Sequence, residues 1–532
     1  MVRFFRNHPD VALWLFFTGL ATFVLFFISP DSYLNDMHTR CDSAWFFMCG
    51  KAWMNGQVPY IDFSDSKGPL LWLIYGIGYL LSRTSYLGIF WISCFWYGLT
   101  YFLSYKTAYI FLKDYWKSIC CAVLMTLAFF NPWFHGETRA EDFCHLFLML
   151  SLYWTCILLY TKPEEKKALI SFGVQGACFA ALFLIKFNIA AMQSVLILIS
   201  LVYLIKEKKN WLRPLLFLAG GAIIVILPFF IYFLSSGTLT AFIQEYILNT
   251  LHTVDIAAPS GTNLLTSRIQ SKNLLITYLL EWGDLVYCPE LATRLVFLLT
   301  GGILFLLSNK EYRWMPLVAS FLVFALCVRH HFFYYFNSCS FLLVFLYISL
   351  FSLPKKPLPK YFTPLCMLVT IGILIPAHIL FFNFKILFFN NNINQKDYYK
   401  VSYIISQVHQ PTIINANDQE FGYGVWAEAL PAGKYWSRQT VMTQEMQHEH
   451  TELILSGKAD FIVINQRFID RPFLDYPDII TQKALDDAGY AICCRFGEAM
   501  DYLLLSKHKD LDIPESISLS RKDLFLKKKP TL

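Results

Sequence analysis

The sequence predicts a polytopic α-helical membrane protein of about eleven transmembrane helices, followed by a C-terminal α/β domain outside the cytoplasm. Three observations predict it: long charge-free apolar runs, basic clusters confined to the short stretches between them, and a change of character after about residue 390. Of the 532 residues 56% are hydrophobic and 15% charged, against roughly 25% charged in a soluble domain. The runs Val11 to Ile28, Leu215 to Ser235, Leu295 to Ser308 and Tyr361 to Phe384 hold no Asp, Glu, Lys or Arg. Backbone polar groups in lipid must be satisfied within their own segment, so such runs read as spanning helices. The first follows Arg3 and Arg6 but lacks a small-residue cleavage site, and reads as a retained anchor.

The net charge of +6 does not point to nucleic acid, because the basic residues serve as orientation signals. Clusters at Lys162 to Lys167, Lys206 to Arg213, Lys310 to Arg313 and Lys355 to Lys360 are assigned to the cytoplasm. The first loop (29–68), the His135 to Asp142 turn, the Lys186 to Asn188 turn, the loop from Ser236, the Arg329 to Tyr335 turn and everything after Phe384 then face outward. The run Pro69 to Leu81 has about two-thirds of a spanning length and is expected as a half-helix on the outer face. The membrane domain is placed at 1–390, the soluble domain at 391–510 and a basic tail at 511–532. In the soluble domain the runs Thr412 to Asn415, Asp460 to Asn465, Tyr490 to Phe496 and Asp501 to Ser506 read as strands between amphipathic stretches. The 14 cysteines form no C-x-x-C pair and read as small buried apolar residues.

Most unusual polar residues fall on the outer side. Asp36, Arg40 and Asp42 lie just beyond the first helix, and Lys67 precedes a Gly-Pro and the half-helix. A carboxylate and a lysine at an interface suit an acceptor that loses a proton and a donor that carries phosphate. They also suit plain interfacial anchoring, the reading taken for Lys51 and Asp31. Glu141 and Asp142 close the HGETRAED turn, and Lys186, Arg329, His331 and Tyr335 sit at later outward turns. Snorkelling anchors remain an alternative for Lys186 and Arg329. The histidines show no metal spacing, and no metal is expected.

The order Arg-x-Asp (Arg40, Asp42), Gly-x-x-Pro-Tyr-x-Asp (Gly56 to Asp62) and Lys-Gly-Pro-Leu (Lys67 to Leu70) resembles the first loop of the GT-C glycosyltransferase superfamily. More narrowly, it is similar to the bacterial branch of protein O-mannosyltransferases and the lipid A aminoarabinose transferase. The resemblance implies a GT-C-like fold, with Asp42 as the catalytic carboxylate and Lys67 holding the donor phosphate. Gly68 replaces the first proline of that branch's Lys-Pro-Pro-Leu, and Ser66 stands where relatives often carry an acid. It further implies donor-phosphate roles for Lys186 and Arg329, and acceptor or sugar contacts for Arg40, Asp62, Glu141, Asp142, His331 and Tyr335. The implied partners are a polyprenyl-phosphate-sugar donor, a glycan, lipid or protein acceptor, and membrane lipid. No cofactor is expected, and the implied location is the cytoplasmic (inner) membrane with an outward-facing site and inversion at the sugar carbon. A lipid or oligosaccharide flippase and a surface-polysaccharide polymerase or ligase stand as alternatives. Inverted repeats and mid-membrane charges, which a transporter would show, are not evident in the sequence. Lys434, Tyr435, Trp436 and Arg438 form the soluble domain's most sugar-friendly cluster, which equally suits docking onto the rest of the chain.

Overall fold

In the computed structural model, residues 8–34, 41–130, 138–250, 316, 318–320, 322–323, 333–352, 361–377, 379–380, 393–417, 421–438, 442–471, 478–497 and 500–515 are described. In chain order the helices are α1 (Pro9–Ile28), α2 (Cys41–Met54), α3 (Pro69–Leu81), α4 (Leu87–Leu112), α5 (Tyr115–Phe129), α6 (Ala140–Tyr160), α7 (Glu165–Ile185), α8 (Phe187–Lys206) and α9 (Leu212–Ser235). The short α10 (Leu239–Phe242) runs on as π-helical turns (Ile243–Asn249). A 3₁₀ stretch (Phe333–Leu343) leads into α11 (Val344–Ser352), and α12 (Phe362–Val369) follows. The C-terminal part comprises α13 (Ile393–Ile405), β1 (Thr412–Asn415), α14 (Gly422–Trp426), β2 (Leu430–Pro431), α15 (Gln444–Leu455), β3 (Phe461–Asn465), α16 (Gln482–Asp487), β4 (Ala491–Phe496) and β5 (Tyr502–Ser506).

Among the described residues six helices are long and apolar enough to cross a membrane: α1, α4, α6, α7, α8 and α9. The expected span at Leu295 to Ser308 lies outside the described residues. The helix expected over 69–81 has those bounds: Pro69 presets the first turn, its missing N–H costing nothing there. The chain divides into two compact units, one of Met1–Ile28, Ser93–Ile231 and Asn263–Lys385, the other of Ser29–Ile92, Tyr232–Thr262 and Ile386–Leu532.

The first unit is helical. Its apolar helices carry a few polar residues that find partners across helices, as burial without water requires. Gln193 of α8 donates to Ser151 Oγ of α6 at 2.7 Å, and Ser200 donates to Gln175 Oε1 of α7 at 3.2 Å. At Gly221 of α9 a Cβ would stand 1.8 Å from the Gly173 carbonyl oxygen of α7, so only glycine lets these two backbones approach. Helices α7 and α8 part at Lys186, whose extended backbone (φ −158, ψ 103) ends one helix and begins the next.

In the second unit α2 packs along α3, and a Cβ at Gly50 would stand 2.4 Å from the Gly76 backbone nitrogen. The sheet runs β2-β1-β3-β5-β4. Strands β2, β1 and β3 are parallel, while β5 is antiparallel to both β3 and β4. All five residues of β3 are buried, which explains why it reads as the unbroken run FIVIN rather than an alternation. Its isoleucines join Ile414, Leu503 and Leu505, with Ile454 and Leu485 from the covering helices, in one core. Thr443 and Thr481 cap α15 and α16 by accepting the Met446 and Ala484 N–H groups.

Candidate active site

Asp42 lies in the first turn of α2, half-buried, where unpaired N–H groups at a helix start favour a carboxylate. Phe46 follows one turn later on the same face. The Lys67 ammonium stands 5.7 Å from the Phe46 ring centroid, a cation–π distance. Lys67 thus stands against a ring that lies one turn along α2 from Asp42.

The loop leading to α3 shapes the surroundings of Lys67. Its ammonium is 3.8 Å from an Asp65 carboxylate oxygen and 3.2 Å from Ser66 Oγ. Asp65 also accepts the Ser66 N–H at 2.6 Å. A carboxylate is thus present beside Lys67. The Tyr60 hydroxyl donates to the Lys67 carbonyl at 3.0 Å, and its ring packs on Trp72 at 4.8 Å. Burial raises the Tyr60 phenol well above its ordinary value, so it stays a donor. The Asp62 carboxylate accepts the Val58 N–H at 2.6 Å, closing its own turn.

In the first unit Glu141, Asp142 and Lys186 come together. The Lys186 ammonium donates to Glu141 in a buried ion pair, the side chains 9% and 3% exposed. Asp142 accepts the Arg139 N–H at 2.8 Å and the Tyr97 hydroxyl at 2.8 Å, and Asn337 Nδ2 lies 3.4 Å away. His145 Nε2 is 2.9 Å from the Asn337 carbonyl, which can only accept, so that nitrogen carries the hydrogen. Its Nδ1 is 3.3 Å from the Tyr97 oxygen. Tyr335 lies on the 3₁₀ stretch Phe333–Leu343. Arg40, Arg329 and His331 lie outside the described residues.

Sequence reasoning passed over several residues. Lys51, read there as a solvated anchor, is fully buried and donates to the Gly424 carbonyl at 2.8 Å; Asp31 is buried as well. Burial lowers the Lys51 pKa to about 7, with Glu428 pulling the other way. Glu245 is buried in the π-helical turns, accepting from Ser64 at 2.9 Å and from the Tyr435 hydroxyl at 3.0 Å. Its third partner is the Lys434 ammonium, at 2.6 Å. Trp436 stacks on Trp45 at 4.9 Å. The only signal for Glu245 was an acid in a mostly apolar stretch, FIQEYIL. Tyr97, His145 and Asn337 carried none, since lone polar residues in apolar helices are common. Among the described residues no group of three or more His, Cys, Asp or Glu could hold a metal ion.

These apolar helices define a multi-pass membrane protein, and its fold is similar to that of solved structures of ArnT. The structure of ArnT from Cupriavidus metallidurans bound to undecaprenyl phosphate is similar to this chain with a TM-score of 0.55 at 11% identity, over 94% of this chain and 99% of that one. ArnT from the same organism in the apo state gives a TM-score of 0.55 at 11% identity, over 97% and 100%. The archaeal oligosaccharyltransferase AglB from Archaeoglobus fulgidus, in complex with an inhibitory peptide and a dolichol-phosphate, aligns over 99% of this chain and 78% of its own at 11% identity, with a TM-score of 0.42. No family model matches the chain. No curated protein matches it by sequence.

Proposed function

We propose that the protein is a glycosyltransferase that moves a hexosyl or pentosyl group from a polyprenyl-phosphate-linked donor to an acceptor on the external face of the cytoplasmic membrane. The observation that carries this reading is the placement of Lys67 over Phe46, one turn from Asp42, in a chain with the fold of ArnT. ArnT has been seen with undecaprenyl phosphate, and a donor of that kind supplies the phosphate that a lysine here would meet.

Asp42 accepts the proton of an acceptor hydroxyl. The freed oxygen attacks the anomeric carbon from the face opposite the phosphate. The carbon–phosphate-oxygen bond breaks, its electron pair leaves with the polyprenyl phosphate, and the configuration inverts. The leaving phosphate needs no proton from a general acid, unlike the alkoxide released in ordinary glycoside hydrolysis. It needs positive charge where negative charge develops, which Lys67 supplies. Lys186 and Arg329 are assigned to the same phosphate, and Arg40, Asp62, Glu141, Asp142, His331 and Tyr335 to sugar or acceptor. An acceptor that is itself a phosphate attacks without a base, and Asp42 then only orients it. The α/β domain lies outside the cytoplasm in this reading.

The test is mass spectrometry of surface glycans and glycolipids from cells lacking the chain, complemented with the natural chain or with Asp42→Asn. A sugar restored by the natural chain alone supports the transferase and identifies the sugar and acceptor. Equal restoration by both removes Asp42 as base.

A further inference from the structure

Lys67 can meet a donor phosphate only if the strap that carries it, residues 60–67, is held at a fixed height above α2. In a reading that rests on Lys67 as a donor-phosphate ligand, we propose that Glu245 is a positioning residue: it anchors this strap to the Lys434–Tyr435 turn and so sets where the Lys67 ammonium stands.

The Glu245 side chain is 5% exposed, and a buried carboxylate is tolerated only when paired and hydrogen-bonded. Its donors come from two segments far apart in sequence. Ser64 Oγ reaches it at 2.9 Å, the Tyr435 hydroxyl reaches both of its oxygens at 3.0 Å, and the Lys434 ammonium lies at 2.6 Å. Burial, together with the charge of Glu245, pushes the Tyr435 phenol up, so it remains a donor. The Ser64 N–H donates to the Lys434 carbonyl at 3.0 Å, stitching strap to turn a second time.

Only Asp65 and Ser66 separate this anchor from Lys67. The far side of the strap is held by the same segment. Tyr60, whose hydroxyl holds the Lys67 carbonyl, packs against Phe242 at 5.5 Å and Tyr246 at 6.3 Å between ring centroids. Glu245 and Tyr246 both lie in the π-helical turns, a departure from α-geometry frequent at functional sites. None of these contacts joins Glu245 to Lys67 directly, so its action on a phosphate passes through the strap.

The experiment uses the full chain in lipid nanodiscs and measures equilibrium binding of two probes, undecaprenyl phosphate and undecaprenol. The ratio of the two affinities isolates the contribution of the phosphate. For the natural chain about a tenfold preference for the phosphate lipid is expected, the usual worth of a charged hydrogen bond. Lys67→Ala should lower that preference severalfold, to the part that Lys186 and Arg329 sustain. Glu245→Ala should lower it about as far as Lys67→Ala does while leaving undecaprenol binding unchanged. Adding Glu245→Ala to Lys67→Ala should change neither affinity further, because coupled residues are not additive. Glu245→Gln, which keeps the volume and one acceptor oxygen, and Ser64→Ala should each lower the preference in part, and they carry the test if the alanine variant does not fold. A full preference in Glu245→Ala or in both milder variants overturns the positioning role while Lys67 stands. Equal weakening of both probes overturns it as well, marking a general structural effect. A preference unchanged by Lys67→Ala overturns the reading of Lys67 itself and the proposal with it.

Discussion

Glu141 and Lys186 show how much of a side chain's meaning lies in its partner. Each stood in the sequence as a charge at a turn, 45 residues from the other, and in the fold they form one buried pair. Removing one member leaves an uncompensated buried charge, so Lys186→Ala should destabilise the protein by roughly 3–5 kcal/mol. The double variant Glu141→Ala/Lys186→Ala should recover much of that loss; thermal unfolding in detergent reads both, and strict additivity would refute the pairing. Asp42 is a different case. It sits at a helix start, so Asp42→Asn should leave the unfolding temperature near that of the natural chain. Transfer in a purified assay with the identified substrates should fall by roughly 10²- to 10⁴-fold, the worth of a positioned base. Asp42 and Lys67 stood out in the sequence by their place in the first loop. The carboxylate of Asp65 beside Lys67 and the Glu245 node were not, because their contacts depend on how the loop closes.

At the scale of elements, the runs Val11 to Ile28, Pro69 to Leu81 and Leu215 to Ser235 match the bounds of α1, α3 and α9 closely, because length and the absence of charge are local properties; of about eleven spans expected, six are long enough among the described residues. How the helices meet was not local. Gly221 is unremarkable in the sequence, yet it lies where α9 meets a carbonyl of α7. Gly221→Leu should force the two helices apart and cost roughly 1–3 kcal/mol, by the usual penalty of overpacking; a lowered unfolding temperature checks it, and no change would show that the helices do not touch there. The packing of α14 on α2 has a pH signature. Lys51, buried beneath Gly424, has its pKa lowered to about 7, against about 10.4 in an unfolded chain. Between these values the unfolded chain holds a proton that the folded chain lacks, so stability rises with pH across this window and is lost as pH falls through about 7. The slope is on the order of 1 kcal/mol per pH unit. Unfolding temperatures at pH 7 and 9 should therefore differ in favour of pH 9, and Lys51→Met should flatten the difference.

For the whole molecule the first question is sidedness. A cysteine introduced at Ser66 or Thr138 should react with an impermeant reagent added from outside, and one at Glu165 should not; a cytoplasmic Thr138 would dissolve the proposed grouping of outward residues. Composition and the spacing of charges by themselves determined that the chain crosses a membrane repeatedly, where α1, α3 and α9 lie, and which runs become β1, β3, β4 and β5. Those features follow from the free energy of each segment in lipid or water, which a segment carries with it wherever it packs. Only the tertiary structure decided that the first loop, residues 232–262 and the α/β segment form one compact unit, that Lys51 and Asp31 are buried, and that Glu245 ties Ser64 to the Lys434–Tyr435 turn. These are pairings between residues far apart in the chain, and desolvation and hydrogen bonding assign a buried charge its partner only once the chain has brought the two together.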